Sequence, residues 1–336
     1  MKESGQLLTE RDQGKLERKL INEFIKEKNL SKYDKETLRK LKVILKLNYN
    51  FYKGEFYSYL MENQASLNNF INKLDKISKE VVNSAIQDIK FINTHSFIEI
   101  LKALLKKKNE IMNYLKIMKS FTHLKLHENL YEQSVFYYKH GLTYLSDEVL
   151  KFLNDKDFLD CGAYVGDSAL IFEKFYNPNK IYSFEPDDEN YNFLLNTIKL
   201  NNLKKIIPVK LGVGAKDSTK NFLHCTGASH ITDDDSEINI NITSIDNFIS
   251  DKDVDVGLIK IDVEGYELEA IEGAKKTIRK FKPVLLISIY HNAEQFINTM
   301  SYIKKLVPEY EIIIRHLEDL LPVSETMLIA WQNTEI

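Results

Sequence analysis

Residues 157–169 read DFLDCGAYVGDSA, and this stretch decides the fold. An apolar strand runs into Asp160, a turn containing Gly162 and Gly166 follows, and an apolar helix begins directly after the turn. Glycine has no Cβ, so a ligand can lie against the backbone of such a turn, and the start of a helix offers unpaired N–H groups. The stretch therefore predicts a ligand-binding loop between a strand and a helix.

The spacing of the glycines indicates the kind of ligand. A dinucleotide-binding loop has the pattern G-x-G-x-x-G, whereas here three residues separate Gly162 from Gly166 and the third glycine is missing. This spacing disfavours a dinucleotide oxidoreductase and suits a nucleoside without a pyrophosphate, whose amino-acid tail meets Asp160 and the backbone. S-adenosylmethionine has that form. The predicted cofactor contacts in the loop are Asp160, Gly162, Ala163, Tyr164, Gly166, Asp167 and Ser168.

A second part of the cofactor site is predicted at the end of the next strand. Glu185 lies 19 residues beyond Gly166, where a carboxylate can accept both ribose hydroxyls of a nucleoside. Pro186 then turns the chain, and Gly212 follows the third strand; both are further predicted cofactor contacts. The alternative for Glu185 is an ordinary helix-capping carboxylate.

The remaining chain alternates between strand and helix patterns, which predicts an α/β fold with a doubly wound, largely parallel sheet. Further strands are predicted at 181–185, 206–211, 258–262, 284–290, 310–315 and 326–331, and helices at 190–200, 245–249, 266–279 and 293–306. The last two strands have no helix between them, so they predict an antiparallel pair at one edge. Residues 134–138 have a β-prone, aromatic composition, and residues 212–238 read as irregular polar sequence.

Candidate catalytic residues follow the later strands. Asp262 and Glu264 close an apolar run and are predicted to face the reaction centre, where a carboxylate can position the acceptor, contact the sulfonium or take a proton. Asp262 is also a predicted cofactor contact. His291 ends the following strand and is a candidate base or acceptor-positioning group, as is His316 with less support. No metal site is predicted, because two carboxylates with one residue between them are a weak metal signal.

The polar insertion contains His224, Cys225 and His230 near three aspartates. Their spacing matches no zinc pattern, so a substrate lid or a plain loop is the preferred interpretation. The chain has two cysteines, too few for a disulfide framework, and both are expected to be reduced thiols.

Residues 1–130 are predicted to form a separate helical domain of unknown function, followed by the domain at 131–336. The first part holds 25 Lys and Arg against 16 Asp and Glu, a net charge of +9, and the second holds 21 against 33, a net charge of −12. The lysine-rich amphipathic helices predicted in residues 1–130 are better explained by packing in a helical core. Docking to a membrane surface or a protein partner stays an alternative. No signal peptide or membrane-spanning run is evident, so a cytoplasmic location is expected.

Residues 134–331 resemble the FkbM family of S-adenosylmethionine-dependent methyltransferases, which have the class I Rossmann-like fold. The motifs that carry the resemblance are FLDCGAYVGDS at 158–168, FEP at 184–186 and IKIDVEG at 259–265. SVFYYKHGL at 134–142 and SIYH at 288–291 resemble a bacterial branch of the family.

The resemblance implies O-methylation, often of a hydroxyl on a sugar, glycan or glycolipid, and it does not cover residues 1–130. A small-molecule or glycan acceptor is therefore expected, and no nucleic-acid partner. The alternative is a non-catalytic cofactor-binding module whose N-terminal helices dock to a membrane or an assembly partner.

Overall fold

The computed structural model describes residues 54–96, 121–127, 131–223, 230–231, 238–318 and 323–332, together with residue 19 and scattered positions between 99 and 120. Apolar residues at helical spacing also predict helices at 15–46 and a basic amphipathic helix at 97–121. Apart from residue 19 the first of these segments lies outside the described residues, as does most of the second. None of the described helices combines the length and the apolar character that are needed to span a lipid bilayer.

A seven-stranded sheet forms the centre of the molecule. Its strands are β1 (Asp157–Cys161), β2 (Ile181–Phe184), β3 (Ile206–Val209), β8 (Val256–Ile261), β9 (Val284–Ser288), β10 (Tyr310–His316) and β11 (Thr326–Gln332). They lie in the order β3-β2-β1-β8-β9-β11-β10. Neighbouring strands from β3 to β9 pair in parallel, and β11 pairs antiparallel with both β9 and β10. The predicted doubly wound sheet with an antiparallel pair at one edge is confirmed.

Every residue of β1, β8 and β9 is buried. Strands that are covered on both faces read as continuous apolar runs, which explains why their sequence was easy to recognise. The helices that follow the strands are α6 (Asp167–Phe175), α7 (Asp188–Asn201), α8 (Ile245–Phe248), α9 (Glu267–Glu272), α10 (Lys275–Phe281) and α11 (Ala293–Leu306).

The single helix predicted at 266–279 is divided into α9 and α10. At Gly273, between them, a Cβ would lie 2.0 Å from the Gly214 carbonyl oxygen, so the chain has no room for a side chain there. The Asp246 carboxylate accepts hydrogen bonds from the N–H groups of Lys276 (3.0 Å) and Thr277 (2.8 Å). These contacts satisfy N–H groups at the start of α10, which is why a new helix begins at that point.

The β-prone interpretation of residues 134–138 is wrong. The segment contains α4 (Gln133–Phe136), a 3-10 helix follows at Lys139–Tyr144, and α5 (Asp147–Phe152) leads into β1. All four residues of α4 are buried, and the ring of Phe136 packs edge-on against Tyr131 at 5.1 Å. Burial against neighbouring side chains has overridden the local β preference of these aromatic residues.

The polar insertion is only partly irregular. Its described residues form a small sheet made of β4 (Gly212–Val213), β5 (Ser218–Leu223), β6 (His230–Ile231) and β7 (Asn239–Thr243), in the order β4-β7-β5-β6. Phe222, Ile240 and Ile242 form its buried apolar cluster. Because this cluster has only three buried residues and the segment is otherwise polar, the sequence showed no clear alternation of apolar and polar residues that would predict these strands.

In the described residues before α4, the chain forms the helices α1 (Glu55–Glu62), α2 (Gln64–Asn72) and α3 (Lys76–Thr94). The Phe296 ring on α11 packs edge-on against Phe56 at 5.9 Å and Phe70 at 6.1 Å. The Ser78 hydroxyl on α3 accepts a hydrogen bond from the backbone N–H of Ile314 on β10 at 2.8 Å. These helices therefore share a core with the sheet, while the domain boundary at residue 130 stays a prediction.

Candidate active site

Two glycines fix the path of the loop after β1. Gly162 has φ +82°, and a Cβ there would lie 1.8 Å from the carbonyl oxygen of Asp262. Gly166 has φ +83° at the start of α6, where a Cβ would lie 2.7 Å from Leu194 Cδ1. Both positions combine a left-handed backbone with close contact, so each requires glycine. The first contact also brings the loop against the residue that follows β8.

Asp160 and Lys260 form a buried ion pair beneath this loop. The sheet register places Asp160 between Ser183 on β2 and Lys260 on β8. Lys260 Nζ lies 3.5 Å from Asp160 Oδ1 and donates a hydrogen bond to the Gly162 carbonyl oxygen at 2.6 Å. Ser183 Oγ donates to Asp160 Oδ2 at 3.3 Å. Asp160 therefore acts through Lys260 on the backbone of the loop.

Lys260 connects the two sides of the site, because its ammonium also lies 3.9 Å from Asp262 Oδ2. Burial alone would lower the pKa of Lys260, but the negative charges of Asp160 and Asp262 raise it on balance. Burial raises the pKa of Asp160 to about 6, although the Lys260 charge opposes that shift. Sequence reasoning assigned no role to Lys260. The signal was present, since a lysine within an otherwise apolar, buried strand needs a partner.

Glu185 ends β2 and contacts the loop directly. Its Oε2 accepts a hydrogen bond from the Tyr164 N–H at 2.9 Å, and its Oε1 accepts one from the Asp187 N–H at 3.0 Å. Tyr164 has φ +45°, a left-handed conformation that presents its N–H to the carboxylate. Burial raises the pKa of the Glu185 carboxyl to about 7. Pro186 follows at the turn into α7, as the sequence predicted.

The remaining predicted loop contacts occupy the start of α6. Ala163 is fully buried, and the Ser168 N–H donates to Asp167 Oδ1 at 2.7 Å. His140 Nε2 lies 2.9 Å from Ser168 Oγ. Burial, with the positive charge of Lys260 adding to it, lowers the pKa of His140 to about 3, so this imidazole is neutral. His140 was predicted only as part of a motif, and its contact with α6 gives it a place beside the loop.

Gly212 lies on β4, in the small sheet. A Cβ at this position would lie 2.5 Å from Ile242 Cδ1, so close packing between β4 and β7 already accounts for the glycine. The structure therefore gives Gly212 a packing role, and its predicted contact with the cofactor stays a prediction.

The turn after β8 carries the predicted catalytic carboxylates. Glu264 and Gly265 both have left-handed backbones, with φ +55° and +100°. Glu267 Oε1 accepts hydrogen bonds from the N–H groups of Val263 at 3.0 Å and Gly265 at 3.2 Å, which holds the turn in place. Gln295 on α11 donates to the Gly265 carbonyl oxygen at 2.7 Å. A non-glycine residue held in this conformation is typical of functional turns.

His291 lies among these carboxylates. Its Nδ1 is 2.8 Å from Glu267 Oε1, and its Nε2 is 3.3 Å from Glu264 Oε2 and 3.7 Å from Asp262 Oδ1. The structure thus brings together Asp262, Glu264 and His291, the three residues predicted to be catalytic. It adds Glu267, which sequence reasoning missed although it stands only three residues beyond Glu264.

The protonation of this group differs from what is expected if His291 acts as a base, since a histidine base must be neutral. Burial would lower the pKa of His291, but the negative charges of Glu267 and Glu264 raise it well above its ordinary value. Burial would raise the pKa of Asp262, whereas the positive charges of Lys260 and His291 lower it on balance. Without a bound ligand the imidazole therefore carries a proton and Asp262 is ionised, which makes Asp262 the better proton acceptor of the two.

Further carboxylates surround Asp262. Tyr290 donates a hydrogen bond from its hydroxyl to Glu325 Oε1 at 2.9 Å. Burial raises the pKa of Glu325 to about 7, and the charge of Asp262 adds to this shift. Burial also raises the pKa of Glu132, with contributions from Glu325, Asp167 and further carboxylates. No sequence signal pointed to Glu132 or Glu325, because neither residue belongs to one of the motifs.

Three further histidines were named from the sequence, namely His316, His224 and His230. His316 ends β10 at the same edge of the sheet, where it pairs with Thr326. His224 and Cys225 lie outside the described residues, and His230 lies on β6. Cys161 is a buried free thiol, as expected.

Comparisons with known proteins agree with this geometry. The model of the methyltransferase FkbM domain matches residues 160–320. The crystal structure of methyltransferase FkbM from Methylobacillus flagellatus KT shares 22% sequence identity, with a TM-score of 0.53 over 82% of this chain and 61% of that one. The chain thus spans about three-fifths of the length of that protein. A search of curated proteins finds no match.

Two more distant structures are similar only at a low level. An rRNA methylase from Streptococcus thermophilus shares 11% identity and has a TM-score of 0.37, covering 55% of this chain and 92% of that one. Fibrillarin from Aeropyrum pernix, in complex with S-adenosyl-L-methionine, shares 14% identity and has a TM-score of 0.36, covering 53% of this chain and 67% of that one. Their scores are too low to support an argument about this chain.

The family match confirms the resemblance drawn from the motifs, and the Methylobacillus structure confirms the class I fold. The motif loop, Glu185 and the turn at Asp262 all lie within the matched residues. Over residues 160–320, the chain is therefore similar to the FkbM family of S-adenosylmethionine-dependent methyltransferases.

Proposed function

We propose that this protein transfers the methyl group of S-adenosylmethionine to a hydroxyl oxygen of a sugar, as a free small molecule or as part of a glycan or glycolipid. The observation that carries the proposal is the group of carboxylates around Asp262, directly beside the glycine loop. Carboxylates accept hydrogen bonds from hydroxyl groups, and several of them in one place suit an acceptor with several hydroxyls.

The cofactor is held between the loop and the end of β2. The backbone from Gly162 to Tyr164 would contact the bound cofactor, and Glu185 would accept hydrogen bonds from its ribose hydroxyls. Glu185 already orients the loop by accepting the Tyr164 N–H. Lys260 holds the Gly162 carbonyl from below, so the loop has its shape before the cofactor binds.

The reaction is an in-line transfer. A lone pair of the acceptor oxygen forms the new C–O bond as the C–S bond of the sulfonium breaks, and S-adenosylhomocysteine leaves as a neutral thioether. The hydroxyl proton passes to the Asp262 carboxylate. Holding donor and acceptor in line can supply about 7–11 kcal/mol of the barrier, whereas a positioned base adds roughly 10²–10⁴-fold. Positioning is therefore the larger contribution.

The charge of the site limits the acceptor. Asp262 is ionised, and further carboxylates of Glu264 and Glu267 lie against His291. These carboxylates by themselves would repel a phosphate or another anion, whereas they would not repel neutral hydroxyls. This favours a neutral carbohydrate over a nucleic acid as the acceptor.

Two measurements test the proposal. Calorimetric titration with S-adenosylhomocysteine should show saturable binding, and its absence at millimolar ligand would overturn the cofactor assignment. Incubation of the full chain with methyl-labelled S-adenosylmethionine and cell-surface glycan fractions should then label an alkali-stable methyl ether. Asp262→Asn is the matched control, since it should bind the cofactor but give little label. Binding without transfer to any carbohydrate would instead favour a non-catalytic module.

A further inference from the structure

Three side chains beside the loop are arranged like the ligands of a metal ion. Asp262 follows β8, Glu267 begins α9 and His291 follows β9, so three separate elements converge on one point. One possible ligand atom from each of them lies within 4.8 Å of those of the other two. Glu264 adds a fourth carboxylate, with its Oε2 at 3.3 Å from His291 Nε2.

Hydrogen bonding leaves these side chains unsatisfied. Asp262 Oδ1, Glu267 Oε2 and both ring nitrogens of His291 are buried without a hydrogen-bond partner of acceptable geometry. The His291 side chain is only 4% exposed, and Glu267 is fully buried. Buried polar atoms are nearly always paired, and leaving one unpaired costs about 1–3 kcal/mol. The unpartnered oxygens of Asp262 and Glu267 belong to side chains whose ligand atoms converge with that of His291 within 4.8 Å, an arrangement that suits a ligand with positive charge.

The supporting contacts fit the same interpretation. Glu267 is fixed by the N–H groups of Val263 and Gly265, and its Oε1 lies 2.8 Å from His291 Nδ1. A carboxylate that orients the imidazole from one side, while the other ring nitrogen faces further carboxylates, is a common arrangement around metal-binding histidines. The side chains of Asp262 and Glu264 are 20% and 36% exposed, so an ion bound to them would be accessible from solvent on that side.

We propose that Asp262, Glu264, Glu267 and His291 form a binding site for a divalent cation with oxygen and nitrogen ligands, of which Mn²⁺ is the representative. Carboxylates are preferred by Mg²⁺ and Mn²⁺, whereas an imidazole in the same site favours a transition metal. The opposing positive charge is Lys260, which lies 3.9 Å from Asp262 Oδ2 and also pairs with Asp160. The carboxylates therefore retain enough negative charge for a divalent ion.

The role of the cation rests on the proposed function, although its binding does not. A cation held by these four side chains would bind the acceptor hydroxyl on its open side and would lower the pKa of that hydroxyl. The O–H proton then leaves to Asp262 or to water as the oxygen attacks the methyl carbon and the C–S bond breaks. The cation also orients the acceptor opposite the loop, which contributes to in-line placement.

The binding test uses the full chain and Mn²⁺ alone. Free Mn²⁺ gives an electron paramagnetic resonance signal that decreases when the ion binds a protein, so titration yields affinity and stoichiometry without any activity. We expect one site per chain. Glu264→Gln and His291→Ala should each weaken binding by about tenfold or more. Mg²⁺ added in excess should release part of the bound Mn²⁺.

Glu294→Gln is the matched control, because Glu294 is an exposed carboxylate only three residues from His291. It should bind Mn²⁺ like the wild type. Thermal unfolding of each variant shows whether the chain is folded, and Glu264→Gln, at a partly exposed position, keeps the test valid if His291→Ala unfolds. Undiminished free Mn²⁺ signal with the wild type at millimolar ion, or unchanged binding in folded Glu264→Gln, would overturn the proposal.

The two proposals fail separately. If chelator-treated protein transfers methyl groups at the full rate and binds no Mn²⁺, the cation site is wrong and the methyltransferase function stands. If Mn²⁺ binds at one site but no carbohydrate is methylated, the acceptor class is wrong and the cation site stands.

Discussion

The two halves of the candidate site are stabilised in different ways. On the side of β1 and β2, the glycine backbone fixes the loop, and each Glu185 oxygen accepts a backbone N–H. On the side of β8 and β9, Asp262, Glu267 and His291 present buried polar atoms without hydrogen-bond partners. The comparison teaches that the loop and Glu185 already have their hydrogen bonds as folded, whereas the acceptor half is arranged for a ligand.

The largest effect is expected where the backbone of the cofactor half meets the acceptor half. The Cβ that Gly162→Val introduces would lie 1.8 Å from the Asp262 carbonyl oxygen, so the ends of β1 and β8 must move apart. We expect a loss on the order of 5 kcal/mol of folding free energy and no measurable binding of S-adenosylhomocysteine. Chemical denaturation and calorimetry measure the two effects.

Gly54→Ala is a suitable control for this substitution. Gly54 has φ +95°, but no atom lies within 4 Å of the position that a Cβ would take, so only backbone strain is added. The expected cost is about 1–3 kcal/mol, because this backbone conformation is rarely open to residues other than glycine. Equal losses in the two variants would show that the contact with Asp262 is unimportant.

Lys260→Met breaks the connection between the halves. It removes the ammonium that lies near both Asp160 and Asp262 and leaves two buried carboxylates without their cation. Loss of one partner from a buried ion pair costs about 3–5 kcal/mol, and we expect about 4 kcal/mol in urea denaturation at neutral pH. The double variant with Asp160→Asn should recover part of that loss, and strict additivity of the two changes would contradict the pairing.

Asp262→Asn changes a side chain of the acceptor half and leaves the cofactor half as it is. Turnover should fall by about 100-fold, because the amide can neither take the hydroxyl proton nor hold its charge. Affinity for S-adenosylhomocysteine should stay within about twofold, since the loop contact uses the Asp262 backbone carbonyl. Single-turnover kinetics and calorimetry separate the two quantities. A large loss of cofactor affinity would show that the halves do not act separately.

Glu185→Gln gives the smallest effect and changes the cofactor half alone. Loss of an ionised acceptor for the ribose hydroxyls should weaken S-adenosylhomocysteine binding by about tenfold. In the wild type, binding should strengthen as pH rises through about 7, where the buried carboxyl ionises. This pH dependence should be absent from the variant, and calorimetry at several pH values measures it.

The same carboxyl affects stability with a defined sign. Burial raises its pKa from 4.5 to about 7, so between these values the folded chain keeps a proton that the unfolded chain has lost. Wild-type stability should therefore fall, relative to Glu185→Gln, as pH rises through this window, by up to about 3 kcal/mol. A constant difference across the window in thermal unfolding would contradict the assignment.

Sequence reasoning predicted the central sheet well because its strands are buried on both faces. Helix α11 was predicted at its observed bounds, and the predicted ends of the later strands lie within about two residues of those observed. The loop after β1 was recognisable because Gly162 and Gly166 follow an apolar strand that ends near Asp160. Such local signals are determined by the neighbouring residues along the chain.

Features that depend on contacts between distant segments could not be predicted. The segment at Ser134 forms a helix because it is buried, although its aromatic residues favour a strand. The convergence of Asp262, Glu267 and His291 requires the parallel alignment of β8 and β9, which no spacing along the chain reveals. Glu325 contributes to the same site from beyond β10.

The contact between Ser78 and Ile314 has a consequence for solubility. β10 is the outermost strand of the sheet, and an uncovered outer strand offers unpaired N–H and C=O groups to other chains. Helix α3 lies against this strand, and the Ser78 hydroxyl occupies one of those N–H groups. Helix α3 thus covers part of this outer strand, which would limit its pairing with strands of other chains.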